Sequence, residues 1–357
     1  MTTRTLTEGL QQALADAQPG DVFVLEGEHT LDEVELHVPV TLRGGTLVGT
    51  GQRVLKIFAD VVLEDLEVRN PKGHGIVSLG GAPELRGLTL TVGGTALACG
   101  KTAAVTLQRC TVRGASTAMT VQDDARVFAE ELQLTSRGCG LFLRGRSSGT
   151  FTQVGILAGN FAGVEATDET TAQLIGVAVV TSGSGGFFIH GDARPELHGC
   201  LAQQCGLSGV EVSQRAQPTI DGLVVRNVQR EGILVKGEAA PTFMEIEVDS
   251  SPNVLLRVCD EATVDVERAV LKNGGSAGVS VQDKGQAELL EVVIKDCAKA
   301  GVEASGRVQV QLESCRIHGN GGYGVTSLGG SIHLTDCDVK DNERGDFMEG
   351  GGGSITR

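Results

Sequence analysis

Residues 195–248 read PELHGCLAQQCGLSGVEVSQRAQPTIDGLVVRNVQREGILVKGEAAPTFMEIEV. Pro195, Pro218 and Pro241 are evenly spaced. With the same period recur Leu197, Ile220 and Phe243, then Cys200, Leu223 and Ile246, then Ala202, Val225 and Val248. The step of two between the last sets is strand alternation. The odd step of three before it implies a bend between two short strands. A further strand follows in each period, as Gly209-Val210-Glu211-Val212 and Gly232-Ile233-Leu234-Val235. Gly opens it each time, which suggests a turn whose dihedrals favour Gly. Each Pro falls just before a strand, where a missing N–H is tolerated.

The pattern extends in both directions. A reference row runs Leu66, Leu88, Cys110, Leu132, Val154, Val177, Cys200, Leu223, Ile246, Ala269, Val292, Cys315 and Cys337, in steps of 22 or 23. The rows three residues before it (Leu63 to Leu334) and two after it (Val68 to Val339) are apolar throughout. In a chain that is 40% apolar, this does not arise by chance. Each repeat is one supersecondary unit that needs its neighbours to bury its core. A leucine-rich horseshoe would need a repeated Asn/Leu consensus, and a propeller blade about 40–45 residues. The reading is therefore all-β: a single-stranded right-handed parallel β-helix of about 13–14 coils, each about 22–23 residues long.

The ends break the pattern. Leu6, Leu10, Ala13, Leu14 and Ala17 have helical spacing, and Pro19-Gly20 would end such a helix. Residues 1–20 are thus expected to be a capping helix and residues 21–345 the β-helix. Residues 346–357, which include Gly350-Gly351-Gly352-Gly353, are expected to be a flexible tail.

Composition limits the function. Fifty-one Gly fit a chain of many tight turns. A net charge of −15 repels phosphate backbones and argues against nucleic-acid partners. No run of 18 apolar residues exists, so no membrane span is expected. Nine Cys with no CxxC pair, and no signal-like start, suggest reduced thiols in the cytoplasm.

The start of the chain, with Pro19-Gly20-Asp21 and Val40-Thr41-Leu42-Arg43-Gly44, resembles pectin-lyase-like β-helix proteins. Residues 186–248 resemble the carbohydrate-binding and sugar-hydrolysis (CASH) repeats of NosD-like and some F-box proteins. The resemblance covers nearly the whole chain. It implies the fold but leaves function open, because that superfold carries lyases, hydrolases, epimerases and non-catalytic scaffolds.

Gly73-His74-Gly75 resembles the Gly-His-Gly of polygalacturonases. Those enzymes also need carboxylates in adjoining coils, since glycoside hydrolysis uses an acid and a base. The equivalent turns hold Gly93-Gly94, Ser116-Thr117, Gly138-Cys139 and Phe161-Ala162 instead. The Asp-Pro-His-Asp motif of mannuronan epimerases is absent. Acidic residues recur after the later strand (Asp168-Glu169, Asp192, Glu238, Asp260-Glu261, Asp283) and read as a solvated edge interrupted by Lys284. Cys110, Cys200, Cys315 and Cys337 fall in the apolar row and read as small core residues. No catalytic residue, metal ligand or cofactor is assigned.

The remaining surface feature is a track. Phe142, Glu165, Phe188, Glu211 and Leu234 should point outward, with Arg144, His190 and Lys236 two residues beyond Phe142, Phe188 and Leu234. Arg144, His190 and Lys236 would form a line of cations on an acidic protein. A second outward row, Ala178, Leu201, Val224, Val270 and Val293, is apolar. The expected function is non-catalytic binding or scaffolding, with the track holding a protein or a polysaccharide. The alternative is a carbohydrate-active enzyme, a polysaccharide lyase or glycoside hydrolase.

Overall fold

The computed structural model describes residues 2–357. The chain is a right-handed parallel β-solenoid of about 16 turns, with almost no helix. It divides into two compact units, one ending at Ala178 and one spanning Val179–Arg357. No helix among the described residues is long and apolar enough to cross a membrane.

In the first unit the early coils are shorter than the later ones. Phe23 is in register with Leu42, and Leu42 with Leu63, although less chain separates them than separates the reference-row residues. Thr3–Leu6 is a strand in register with Val22–Leu25, so Leu6 lies outside the helix expected there. The helix is confined to Leu10–Ala15, with Gly9 in the left-handed region at its start. It buries Leu10 and Leu14, while Ala17 is buried just after its end. The polar Thr-Arg-Thr preceding Leu6 pairs as an edge strand because it can complete the ladder of Asp21–Leu25.

The second unit keeps the longer, nearly constant period. Ile220 pairs with Phe243, and Phe243 with Val266, inside the core. The carbonyls of Pro195, Pro218 and Pro241 accept hydrogen bonds from Thr219, Thr242 and Asp265. Each Pro thus serves the ladder through its carbonyl alone. Gly351 to Gly353, expected in a flexible tail, lie between two paired strands. Phe347–Gly350 pairs with Val325–Leu328, and Ser354–Thr356 with Ser331–His333. Gly351 and Gly352 have φ of 59° and 84° and make the turn between them. A Gly-rich run here supplies a corner of the coil, not a linker.

All three predicted rows face inward. Their members are buried except Cys337 and Val339, which are half-buried. The bend behind the odd step is a single left-handed residue. Asp65, Arg109, Glu131 and Gln153 in the first unit, and Glu245, Arg268, Glu291, Ser314 and Asp336 in the second, have φ between 52° and 55°. Each immediately precedes its reference-row residue. One such residue turns the backbone and resets which alternate side chains face inward. A left-handed conformation costs roughly 1–2 kcal/mol for a residue other than Gly. Burial of the next side chain offsets that cost.

The Gly that opens the later strand has a different cause from the one expected. Gly186, Gly209, Gly232, Gly278 and Gly301 have no positive φ. A Cβ on Gly232 would stand 2.3 Å from Val248 Cγ1 and 2.6 Å from the Leu255 carbonyl oxygen. On Gly301 it would stand 2.4 Å from Ile317 Cγ2 and 2.6 Å from the Gly324 carbonyl oxygen. Gly is needed because stacked turns approach too closely for a side chain, not for its dihedral freedom.

Candidate functional site

Strand alternation sets the outward face. In the first unit Leu141–Leu143 buries Leu141 and Leu143 and leaves Phe142 half-buried, in register with Glu165. The Arg144 guanidinium lies 5.5 Å from the Phe142 ring centroid and also bonds Gln122.

In the second unit the outward positions of the corresponding strands are Phe188, Glu211, Leu234 and Arg257, on successive rungs. All four are half-buried. Rungs lie about 4.8 Å apart, so these side chains form one close-set row. The Phe188 ring stacks on His190 at 4.4 Å with an interplanar angle of 25°. Lys236 Nζ lies 2.8 Å from Glu211 Oε1. Lys236 is therefore paired, and Arg144 is packed on an aromatic ring. Beside this aromatic platform, the cations of the expected track are engaged by neighbouring side chains. The cause is register: alternation places Lys236 two residues beyond Leu234, and Leu234 one rung from Glu211.

Sequence reasoning missed Glu231. Its side chain is 2% exposed, yet it carries a carboxylate. Oε1 lies 3.3 Å from Arg257 Nη1, and Oε2 lies 3.5 Å from Arg230 Nε. Glu231 occupies the place before the strand-opening Gly where other coils have Ser208, Ala277 or Ala300. An acidic residue in a row of small ones was the available signal. Burial of a charge requires a partner, and Arg257 reaches it from the next rung. Arg257 is thereby held in place on the outward face.

The recurring acidic residues after the strand have a structural task. Asp123, Asp168, Asp260 and Asp283 have φ of 59° to 62°. Asp123 accepts from the Lys101 N–H at 2.8 Å, Asp168 from Gly145 at 2.8 Å, and Asp260 from Gly237 at 2.9 Å. Each carboxylate thus caps the turn of the preceding coil. Asp168→Ala is expected to lower stability by about 1 kcal/mol, with Asp168→Asn retaining most of it. Urea denaturation of both variants measures this difference.

Cys259, Asp260 and Asp283 bring one ligand atom each to within 4.8 Å of one another. Burial first, then the Asp260 and Asp283 carboxylates, push the Cys259 thiol up. Both carboxylates are already engaged as turn caps, Asp260 with the Gly237 N–H and Asp283 with the Asp260 N–H at 3.3 Å. His74 is exposed, and its Nδ1 accepts from the Thr95 N–H at 2.9 Å. That bond ties His74 to the next coil.

A separate groove of about 240 Å³ lies on the first-strand face of the second unit. Asp265, Glu267, Glu288, Glu313 and His333 line it. Arg268 pairs with Glu267 and Glu245 at its edge.

No characterised protein matches the chain in sequence. In structure it is similar to a double mutant of the periplasmic alginate epimerase AlgG, with a TM-score of 0.56, 10% identity, and coverage of 86% of this chain and 78% of that one. It is also similar to the Siphovirus 9NA tailspike receptor binding domain, with a TM-score of 0.49, 10% identity, and coverage of 99% and 76%. For the Azotobacter vinelandii mannuronan C-5 epimerase AlgE4 A-module the values are 0.41, 14%, 97% and 91%. At such identities the likeness concerns the fold. Residues 95–267 and 208–356 match the model of the right handed beta helix region. With this match over most of its length, and parallel coils along both units, the chain belongs to the right-handed β-helix family.

Proposed function

We propose that the second unit binds an extended glycan along the face that carries Phe188, Glu211, Leu234 and Arg257, without altering it covalently. The observation that carries this reading is the Phe188–His190 stack beside the Glu211–Lys236 pair. A flat, half-exposed aromatic surface suits the face of a sugar ring. Ion-paired side chains one and two rungs away offer hydrogen-bond donors and acceptors at fixed positions. Successive rungs set Phe188, Glu211, Leu234 and Arg257 along one line, the direction an extended polymer would follow. The carboxylates here are held by cations, Glu211 by Lys236 and Glu231 by Arg257 and Arg230, which suits recognition better than proton transfer. The likeness to an alginate epimerase makes alginate the first probe.

The test is affinity electrophoresis in gels containing alginate, with a neutral glucan for comparison, together with chain-length and proton NMR analysis of recovered alginate. The expected result is reversible retardation by alginate with an unchanged polymer. Combining Phe188→Ser with Lys236→Ser should weaken binding at least about tenfold. Undiminished binding by that variant, or a shortened or epimerised polymer, would overturn the reading.

A further inference from the structure

We propose that Cys315 and Cys337 form a thiol–disulfide site, which closes to an intramolecular disulfide on reaction with a low-molecular-weight disulfide.

The repeat creates the pair. Arg316 is in register with Asp338, and Ile317 with Val339. Cys315 and Cys337 therefore occupy the same position on adjacent rungs. The residue before each is left-handed, Ser314 with φ of 53° and Asp336 with φ of 52°, so both backbones leave the bend alike. The side chains also point alike. Cys315 Sγ lies 3.3 Å from the Leu289 carbonyl and 3.4 Å from that of Glu313. Cys337 Sγ lies 3.3 Å from the Leu312 and Thr335 carbonyls, the equivalent groups one rung on. Adjacent rungs place Cα atoms about 4.8 Å apart, within the roughly 4.4–6.8 Å that a disulfide spans. Both cysteines are free.

The two sulfurs differ in a way that orders the chemistry. Cys315 is buried, and Cys337 is half-exposed. The neighbouring Cys315 thiol holds the Cys337 thiol down, against burial and the Asp336 carboxylate, which act to raise it. Cys337, with burial, pushes Cys315 up. Cys337 is thus the more accessible sulfur and the one whose thiol is the easier to ionise. Its thiolate attacks one sulfur of the small disulfide, the S–S bond breaks, and one thiolate leaves and takes up a proton. Cys315 then gives its proton to solvent and attacks Cys337 Sγ, expelling the second thiol. Two protein thiols are oxidised to one disulfide, and one small disulfide is reduced to two thiols.

The test uses the full chain and oxidised glutathione. After incubation the thiols are alkylated, and intact mass and peptide maps are recorded. The expected product is a monomer two hydrogens lighter, with Cys315 linked to Cys337. Cys315→Ser should stop at a glutathione adduct on Cys337, and Cys337→Ser should give neither product at those positions. Three results would each overturn the proposal: an unmodified Cys337, a glutathione adduct that persists on the wild-type chain, or a Cys337 link between two chains. Because none of these readouts involves a glycan, the outcome is independent of the binding test.

Discussion

Replacing Phe243 with Ala is expected to destabilise the second unit by about 3–5 kcal/mol. Phe243 is fully buried, with Ile220 and Val266 as its register neighbours. The ring fills the coil between its own strand and the opposite ladder, and the coils above and below cannot collapse into the space because their ladders hold them apart. In a solenoid each repeat is stabilised chiefly by its neighbours, so a cavity in one coil weakens the interfaces on both sides. Urea denaturation followed by far-UV circular dichroism measures the effect. Ile220→Val is the control and should cost only about 0.5–1.5 kcal/mol. A Phe243→Ala variant as stable as the wild type would mean that this core is not packed as described.

The second large effect is expected from Gly232→Ala, by overpacking instead of loss. The new methyl would meet Val248 Cγ1 and the Leu255 carbonyl oxygen at 2.3 and 2.6 Å. The side chain can turn aside, but the carbonyl belongs to the ladder and cannot. Overpacking of this kind costs about 1–3 kcal/mol, and more when backbone must move. Combining Gly232→Ala with Val248→Ala separates the two contacts. The added loss from Gly232→Ala should be smaller in that background but should not vanish, because the carbonyl contact remains. Full recovery would assign the requirement for Gly to Val248 alone. Thermal melts of the four chains provide the comparison.

The apolar rows of the β-helix could be read without a structure, because residues one coil apart in sequence are neighbours in space. A nearly constant repeat length therefore writes the core directly into the chain, and Leu63, Leu66 and Val68 are legible as one bend before any coordinates exist. The alternation that buries Leu141 and Leu143 likewise identified Phe142 as outward. Other features had no sequence signature. Arg109, Glu131 and Arg268 are left-handed, yet they are long charged residues that give no sign of it, because coil closure and not local preference imposes the conformation. The pairing of Lys236 with Glu211, and of Arg257 with Glu231, joins residues more than a full coil apart in sequence. Only the register of stacked rungs decides that Lys236 meets Glu211. The Gly at each strand opening was visible, but its cause was not. Its missing Cβ leaves room for a carbonyl of the next coil, a contact that exists only once the coils are stacked. Periodicity thus settled which residues face inward. Tertiary stacking decided which outward charges remain available and where a side chain fits, because both depend on atoms a full coil away.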